Sequence, residues 1–196
     1  MADITHGTWI KDGKAVDAVY QNGVKAYGRN LLRDSANQLS NDWCDKNSSW
    51  TSDMGTYLGS RPKKVTSAWD NIRYAFSSLA PLINTTDTYT YSVYVKVVGA
   101  DPSTLSDSLT WLSSATSAEN QWTGLNTLSG NDWQRISKTF TFTTNVVNLS
   151  DIHGQSIRFE LVSNLPDGVF ISFAAPKLER GTISTSYSQA PEDILK

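Results

Sequence analysis

The chain has 196 residues, of which 39% are hydrophobic and 11% are aromatic, and its formal net charge is −2. This length suffices for one substantial core, and the aromatic content is too high for a disordered chain. A charge so close to zero argues against the basic surface of a protein that binds nucleic acid or an anionic membrane.

Cysteine and histidine are too few for a disulfide framework or a zinc site. Cys44 is the single cysteine, and His6 and His153 are the two histidines. We therefore expect a fold stabilised by packing alone. No stretch reaches the roughly 18 apolar residues of a membrane span, and the N-terminus lacks the basic and apolar regions of a signal peptide.

The first 28 residues predict a β-meander. Asp12-Gly13 and Asn22-Gly23 each separate two strand-like runs. Such dipeptides favour type I′ hairpin turns, which need positive φ at both central residues. We expect residues 1–28 to form a connecting arm outside the main core.

Residues 37–68 show little periodicity and contain Trp43 and Trp50. A long segment without regular structure is typically functional or held by an ordered scaffold. Strands return after it, and the clearest is Tyr89–Val98, in which Tyr and Val alternate with polar residues. That alternation predicts one face in the core and one outside.

Further short strands are predicted along the second half of the chain, separated by turn residues. They are Ile72–Phe76, Leu109–Leu112, Ile136–Thr143, Ile157–Leu161 and Val169–Phe173. Helical periodicity is not evident in any window. The sequence therefore predicts an all-β fold, a jelly-roll β-sandwich of two antiparallel sheets with an N-terminal β-hairpin or meander arm. The expected divisions are the arm 1–28, the sandwich 29–188 and a C-terminal linker 189–196.

Seven tryptophans are more than a core of this size needs. An indole face beside polar side chains is a surface on which a sugar ring can stack. The alternative is that these indoles plug the open ends of the sandwich. The predicted carbohydrate-binding residues combine aromatic planes with side chains that hold hydroxyls: Trp43, Trp50, Trp69, Asp70, Asn71, Arg73, Trp122, Arg158 and Glu160.

Catalytic and metal-binding patterns are weak. A glycosidase needs two carboxyl groups, and Glu160 is the one glutamate that lies within a predicted strand on its polar phase, beside Arg158. An ion pair or a sugar contact is the simpler interpretation, so we expect no enzyme and no cofactor. Fifteen aspartates leave a structural calcium ion open, but their spacing is not that of an EF-hand.

Several segments together resemble a known group of proteins. They are Gly28-Arg29-Asn30-Leu31-Leu32, Thr88–Lys96, Asp132–Ser137 running into Phe140–Phe142, Pro176–Gly181 and Ala190–Asp193. This series resembles the jelly-roll carbohydrate-binding modules in tail and baseplate proteins of phages that infect Gram-positive bacteria. The run Trp9–Tyr27 is similar to the joining segment of such proteins, including distal tail proteins with inserted modules.

The resemblance implies non-catalytic binding of a host cell-wall or surface polysaccharide by a virion protein made in the bacterial cytoplasm. It implies contacts with other tail proteins through the arm, and it gives Trp133 a packing role. Related modules hold calcium through acidic residues just before the Leu-Glu pair, where this chain has Ala174, Ala175 and Pro176. The resemblance also implies that residues 37–68 and the loops around 100–130 determine which sugar is bound.

Two other functions stay open at this point. One is a structural or protein-interaction module that decorates the tail or baseplate and orients neighbouring subunits. It would be favoured if every tryptophan outside the arm were buried and no groove were lined by aromatic residues. The other is a glycan-degrading enzyme centred on Glu160, which would need a second carboxylate within roughly ten ångströms.

Overall fold

The computed structural model describes residues 2–5, 7–44, 48–50, 54–105, 108–111, 116–117, 121–142 and 156–195. Residues 2–5, 50, 76, 108–111 and 121–123 are described by their backbone. The strands are β1 (Ala2–Thr5), β2 (Thr8–Lys11), β3 (Lys14–Ala15), β4 (Ala18–Gln21), β5 (Val24–Gly28), β6 (Ser49–Trp50), β7 (Lys63–Val65), β8 (Asn71–Ala75), β9 (Thr88–Val98), β10 (Ser108–Trp111), β11 (Gln121–Gly124), β12 (Gln134–Thr141), β13 (Ser156–Leu161) and β14 (Phe170–Arg180). Two helical turns, α1 (Phe76–Leu79) and α2 (Pro191–Ile194), and 3₁₀ turns at Ala80–Leu82, Pro102–Thr104 and Leu125–Thr127 complete the described elements.

Two antiparallel sheets form the body of the protein. The four-stranded sheet has the order β11-β10-β13-β8, and the five-stranded sheet has the order β12-β9-β14-β7-β6. The N-terminal arm adds the meander β1-β2-β3 and the hairpin β4-β5. The predicted all-β sandwich of two antiparallel sheets with such an arm is confirmed.

The core lies between the two sheets. From β9 it receives Tyr89, Tyr91, Val93, Val95 and Val97, which are all buried, as their alternation predicts. The opposing sheet contributes Ile72 and Tyr74 from β8 together with Ile157, Phe159 and Leu161 from β13. Aromatic contacts cross the layer, including Tyr91 with Phe159 at 5.1 Å between ring centroids.

The predicted strand Val169–Phe173 is the first half of a longer one. β14 continues to Arg180 across a register shift between Ala174 and Lys177, where Ala175 has φ +53°. Such a bulge reverses the alternation, so Phe173 before it and Leu178 after it both face the core. Lys177 and Glu179 therefore face the outer side of the five-stranded sheet.

The arm covers these two charged residues. Lys25 of β5 donates to Glu179 Oε2 at 2.9 Å, and Lys177 Nζ donates to Thr185 Oγ1 at 2.9 Å and lies 5.4 Å from the centre of the Tyr27 ring. Lys177 and Glu179 are 0% exposed. The arm and the sandwich thus share a buried ionic network, although the predicted boundary at residue 28 stays a prediction.

The buried ammonium group of Lys177 is expected to make stability depend on pH. Burial, opposed in part by Glu179, lowers the pKa of Lys177 to about 8, whereas an exposed lysine titrates near 10.4. Between these values the unfolded chain binds more protons than the folded one, so the free energy of unfolding rises with pH, by at most about 3 kcal/mol. Urea denaturation from about pH 7 to about pH 10 measures this slope.

The matched variant for this slope is Lys177→Met, which removes the titrating group and is expected to flatten the rise. Equal slopes in the two proteins would contradict the assignment to Lys177. Burial also raises the pKa of Tyr74 and that of Tyr187 to about 12, and this acts in the opposite direction. Because a free tyrosine ionises near pH 10, these two residues lower stability only above that pH.

Candidate functional site

The outer side of the four-stranded sheet carries a group of polar residues that we call the polar face: Asn71, Arg73, Ser156, Arg158 and Glu160. Cross-strand register explains the group, because Glu160 lies opposite Asn71, and Arg158 lies opposite Arg73. Residues opposite one another on neighbouring strands share a side of the sheet. Four predicted site residues from two distant segments are thereby brought together, but Asn71, Ser156 and Glu160 are buried, and only Arg73 and Arg158 are partly exposed.

The same register extends across the whole sheet. Thr110 of β10 lies opposite Glu160, and Trp122 of β11 lies opposite Thr110. One cross-strand row therefore contains Asn71, Glu160, Thr110 and Trp122. The backbone of Trp122 lies in this row, while its side chain lies outside the described part of the chain.

Hydrogen bonds and an ion pair organise this row. The Asn71 side-chain amide donates to Glu160 Oε2 at 3.4 Å, and Arg158 lies 3.4 Å from Glu160 Oε1. Arg73 Nε donates to the Cys44 carbonyl at 2.8 Å. These contacts fix the orientation of planar polar groups, which is the arrangement that recognition of hydroxyl groups requires.

Two buried polar atoms on this face have no hydrogen-bond partner among the described residues. They are Nε of Arg158 and Oγ of Ser156. Buried donors are nearly always paired in proteins, so the partners of these two atoms lie outside the described residues. Ser156 was not among the predicted site residues, although it shares the alternation phase of Arg158 and Glu160 and could have been found from that.

Trp69 is the exposed aromatic residue beside the polar face. Its side chain is 53% exposed, and its backbone has φ +67°, an uncommon conformation for a large residue. The Trp69 backbone amide donates to the Leu161 carbonyl at 2.8 Å, and the Trp69 carbonyl accepts from Nδ2 of the Asn71 side chain at 3.0 Å. The fold holds this strained residue in place, as is common at ligand-binding positions.

Asp70 has a different role from the predicted contact with a ligand. It is buried, and its Oδ2 accepts from the backbone amides of Thr66 and Ser67 at 3.3 and 2.8 Å. These bonds shape the turn that presents Trp69. Because its carboxylate is turned into this loop, we do not include Asp70 among the proposed ligand contacts.

Trp43 lies in the hydrophobic core. It is 8% exposed, its Nε1 donates to the Arg33 carbonyl at 3.0 Å, and its ring packs edge-on against Tyr74 at 5.0 Å. The short bridge between Trp43 and Tyr74 adds this segment to the edge of β8. The indole presents no open face on which a sugar could stack, contrary to the expectation from its loop-like sequence.

Trp50 and Trp133 complete the set of tryptophans considered. Trp50 ends β6 and lies opposite Lys63, while its side chain lies outside the described part. Trp133 is partly buried and stacks on Tyr57 at 4.7 Å between centroids, with Tyr57 against Tyr94 at 5.0 Å. The packing role that the resemblance implies for Trp133 agrees with these contacts.

Neither a metal site nor a membrane helix is found in the part of the chain that the structure describes. Groups of three or more His, Cys, Asp or Glu residues able to hold a metal ion are absent from it. Within the same residues, each helix is too short and too polar to span a bilayer.

Comparisons with known proteins concern the fold. No protein-family model matches this sequence, and no curated protein matches it. Among solved structures, the CBM22-1 xylan-binding domain from Paenibacillus barcinonensis Xyn10C has a TM-score of 0.42 and 11% identity, over 80% of this chain and 94% of that one. The tripod from the baseplate of bacteriophage Tuc2009 has a TM-score of 0.48 and 17% identity.

The match to the tripod covers 86% of this chain and 61% of the tripod chain. The botulinum neurotoxin serotype D ligand binding domain, in complex with N-acetylneuraminic acid, has a TM-score of 0.40 and 11% identity, over 78% of this chain and 44% of that one.

Proposed function

We propose that this chain is a non-catalytic carbohydrate-binding module of a phage tail protein, located in the virion, which binds a host cell-wall or surface polysaccharide during adsorption. The observation that carries the proposal is the exposed indole of Trp69, fixed at the end of the polar face. An aromatic plane next to the oriented guanidinium groups of Arg73 and Arg158 suits a sugar ring, which has apolar faces and a polar rim.

The contact surface of the proposal contains Trp69, Arg73 and Arg158. Asn71 and Glu160 are only 1% and 5% exposed, so their role is to orient the Trp69 carbonyl and the Arg158 guanidinium rather than to contact the sugar. Trp122 joins the contact surface through its place in the cross-strand row. Trp50 joins it because it lies in residues 37–68, which the resemblance implies determine which sugar is bound. We expect weak affinity at each site, raised by the many copies of a tail protein on one virion. Contacts with other tail proteins are assigned to the arm.

Binding without cleavage fits the surroundings of Glu160. Its carboxylate is held by the Arg158 guanidinium and the Asn71 amide. A glycosidase acid must donate a proton to the leaving oxygen, whereas a carboxylate engaged by donors acts as a hydrogen-bond acceptor. The structural alternative, a module that only orients neighbouring subunits, requires that every tryptophan outside the arm is buried and that no groove is lined by aromatic residues. The exposure of Trp69 favours the saccharide proposal over it.

The test measures binding of the chain to cell-wall polysaccharides purified from a panel of Gram-positive bacteria. Trp69→Ala is expected to weaken binding about tenfold, since a stacking face worth about 1.4 kcal/mol is lost. Tyr20→Ala is the matched control, because Tyr20 is an exposed aromatic residue on the arm. The proposal fails if the wild-type chain binds none of the polysaccharides, or if both variants bind as the wild type does.

A further inference from the structure

A second concave surface, which we call the loop cleft, opens where the chain crosses twice between the two sheets. The crossings are the β7–β8 loop and the β13–β14 loop, and they lie at the same end of the sandwich because both strand pairs are antiparallel neighbours. The cleft has a volume of about 480 Å³. Its lining includes Lys64, Ser67, Asn164, Asp167 and Phe170.

Hydrogen bonds join the two loops, so the loop cleft is formed before any ligand binds. Ala68 N donates to Asn164 Oδ1 at 2.9 Å, and Leu165 N donates to the Thr66 carbonyl at 3.1 Å. Asp70 closes the β7–β8 loop because its carboxylate accepts hydrogen bonds from the backbone amides of Thr66 and Ser67. A site fixed in this way loses little conformational entropy on binding.

Three polar groups of the cleft are available to a ligand. Among the described residues, neither the exposed carboxylate of Asp167 nor the ammonium of Lys64 forms a hydrogen bond or an ion pair, and the Nδ2 of Asn164 has no acceptor. Lys64 Nζ lies 5.4 Å from the centre of the Phe170 ring. The cleft thus offers an anionic acceptor, a cationic donor and an amide donor on one rigid frame.

This combination selects a class of ligand. Because the charges of Asp167 and Lys64 cancel, the cleft has no net attraction for an anion or a cation, whereas neighbouring hydroxyl groups can donate to the carboxylate and accept from the ammonium and the amide. We infer that the loop cleft is a binding site for a neutral saccharide unit with vicinal hydroxyls. The inference rests on the proposed function for its ligand class. It places a second site beside the polar face. Trp69 links the two along the chain, because it lies between Ser67 of the cleft and Asn71 of the polar face.

The test follows the ¹⁵N-labelled chain by NMR during titration with the methyl glycosides of glucose, galactose and mannose. We expect saturable shifts at the Asn164 side-chain amide and at the backbone amides of Ala68 and Gly168. Glucuronate and glucosamine serve as anionic and cationic comparators and should bind more weakly than the neutral glycosides. Absence of saturable shifts at these amides with all three glycosides, or tighter binding of a charged comparator, would overturn the inference.

A matched pair of variants locates the ligand. Asp167→Asn removes the anionic acceptor and is expected to weaken glycoside binding about tenfold. Asp12→Asn removes one charge from an exposed turn of the arm, where asparagine tolerates the positive φ of residue 12, and should titrate as the wild type does. Equal affinity in the two variants would overturn the site.

The outcome separates this inference from the proposed function. If wall polysaccharide binds and responds to Trp69→Ala while the cleft amides do not shift, the loop cleft is rejected and the proposed function stands. If the glycosides bind in the cleft while no wall polysaccharide binds, the cleft stands and the role in adsorption is rejected.

Discussion

Replacing Glu179 by alanine is expected to lower the free energy of unfolding by about 3–5 kcal/mol, the cost of breaking a buried ion pair by removing one partner. Glu179 accepts from Lys25 at 2.9 Å and from Thr185 N and Oγ1 at 2.7 and 2.9 Å. Without its carboxylate, two ammonium groups would stay buried beside each other, because Lys177 lies 3.9 Å from Glu179 on the other side. Urea denaturation measures the loss.

The control for this variant is Asp87→Ala. It breaks the pair of Arg180 Nε with Asp87 Oδ2, 3.0 Å apart, in which more than half of the arginine side chain is exposed. A surface pair of this kind is worth about 0–1 kcal/mol. A second readout is proteolysis of the arm, which should become faster in Glu179→Ala because Lys25 loses its partner on the sandwich. Similar losses of stability in the two variants would contradict a buried network.

The elements predicted best are those whose signal is local. The alternation of Tyr89–Val98 fixes both a strand and its core side, and β9 has them as expected, while Thr90 and Ser92 on the face expected outside are also buried. Asp12-Gly13 and Asn22-Gly23 have positive φ at all four residues, the geometry that their turn type requires. In each case neighbouring residues alone determine the outcome.

The features that the sequence did not reveal depend on distant contacts. Lys177 and Glu179 resemble an exposed charged pair in sequence, and they are buried because the arm folds back over them after a bulge. Asn71, Glu160 and Trp122 share a row only because β8, β13, β10 and β11 are neighbours, and strand order is not encoded locally. The bulge at Ala175 also hid the length of β14, since it reverses the alternation on which strand prediction depends.

The sequence also does not show which tryptophans are buried and which are exposed. Trp43 and Trp69 both lie in polar, aperiodic sequence, yet one indole is buried and the other is exposed. Trp43 is drawn inside because its backbone bridges to Tyr74 at the edge of β8. Trp69 is held outside because its amide is tied to Leu161 and the Asp70 carboxylate closes the turn around it. Composition predicts a surplus of indoles, but only tertiary contacts divide core residues from surface residues.

Trp43→Ala is therefore expected to lower stability, whereas Trp69→Ala is expected to lower polysaccharide binding. Trp43→Ala leaves a cavity against Tyr74 and removes the donor to the Arg33 carbonyl, so it should lower the free energy of unfolding by about 3–5 kcal/mol. Trp69→Ala changes an exposed side chain and should shift stability by less than about 0.5 kcal/mol while weakening polysaccharide binding. Urea denaturation and the polysaccharide assay, applied to both variants, measure the two effects.

Trp43→Phe keeps an aromatic ring at the buried position but lacks the indole N–H, so it should recover much of the lost stability. If it does, ring packing rather than the hydrogen bond to Arg33 is the main contribution of Trp43. The division of roles would be contradicted if Trp43→Phe, folded and stable, bound polysaccharide as weakly as Trp69→Ala does. That result would mean that Trp43 reaches the ligand after a rearrangement of residues 37–68, and the stacking surface would then have to include it.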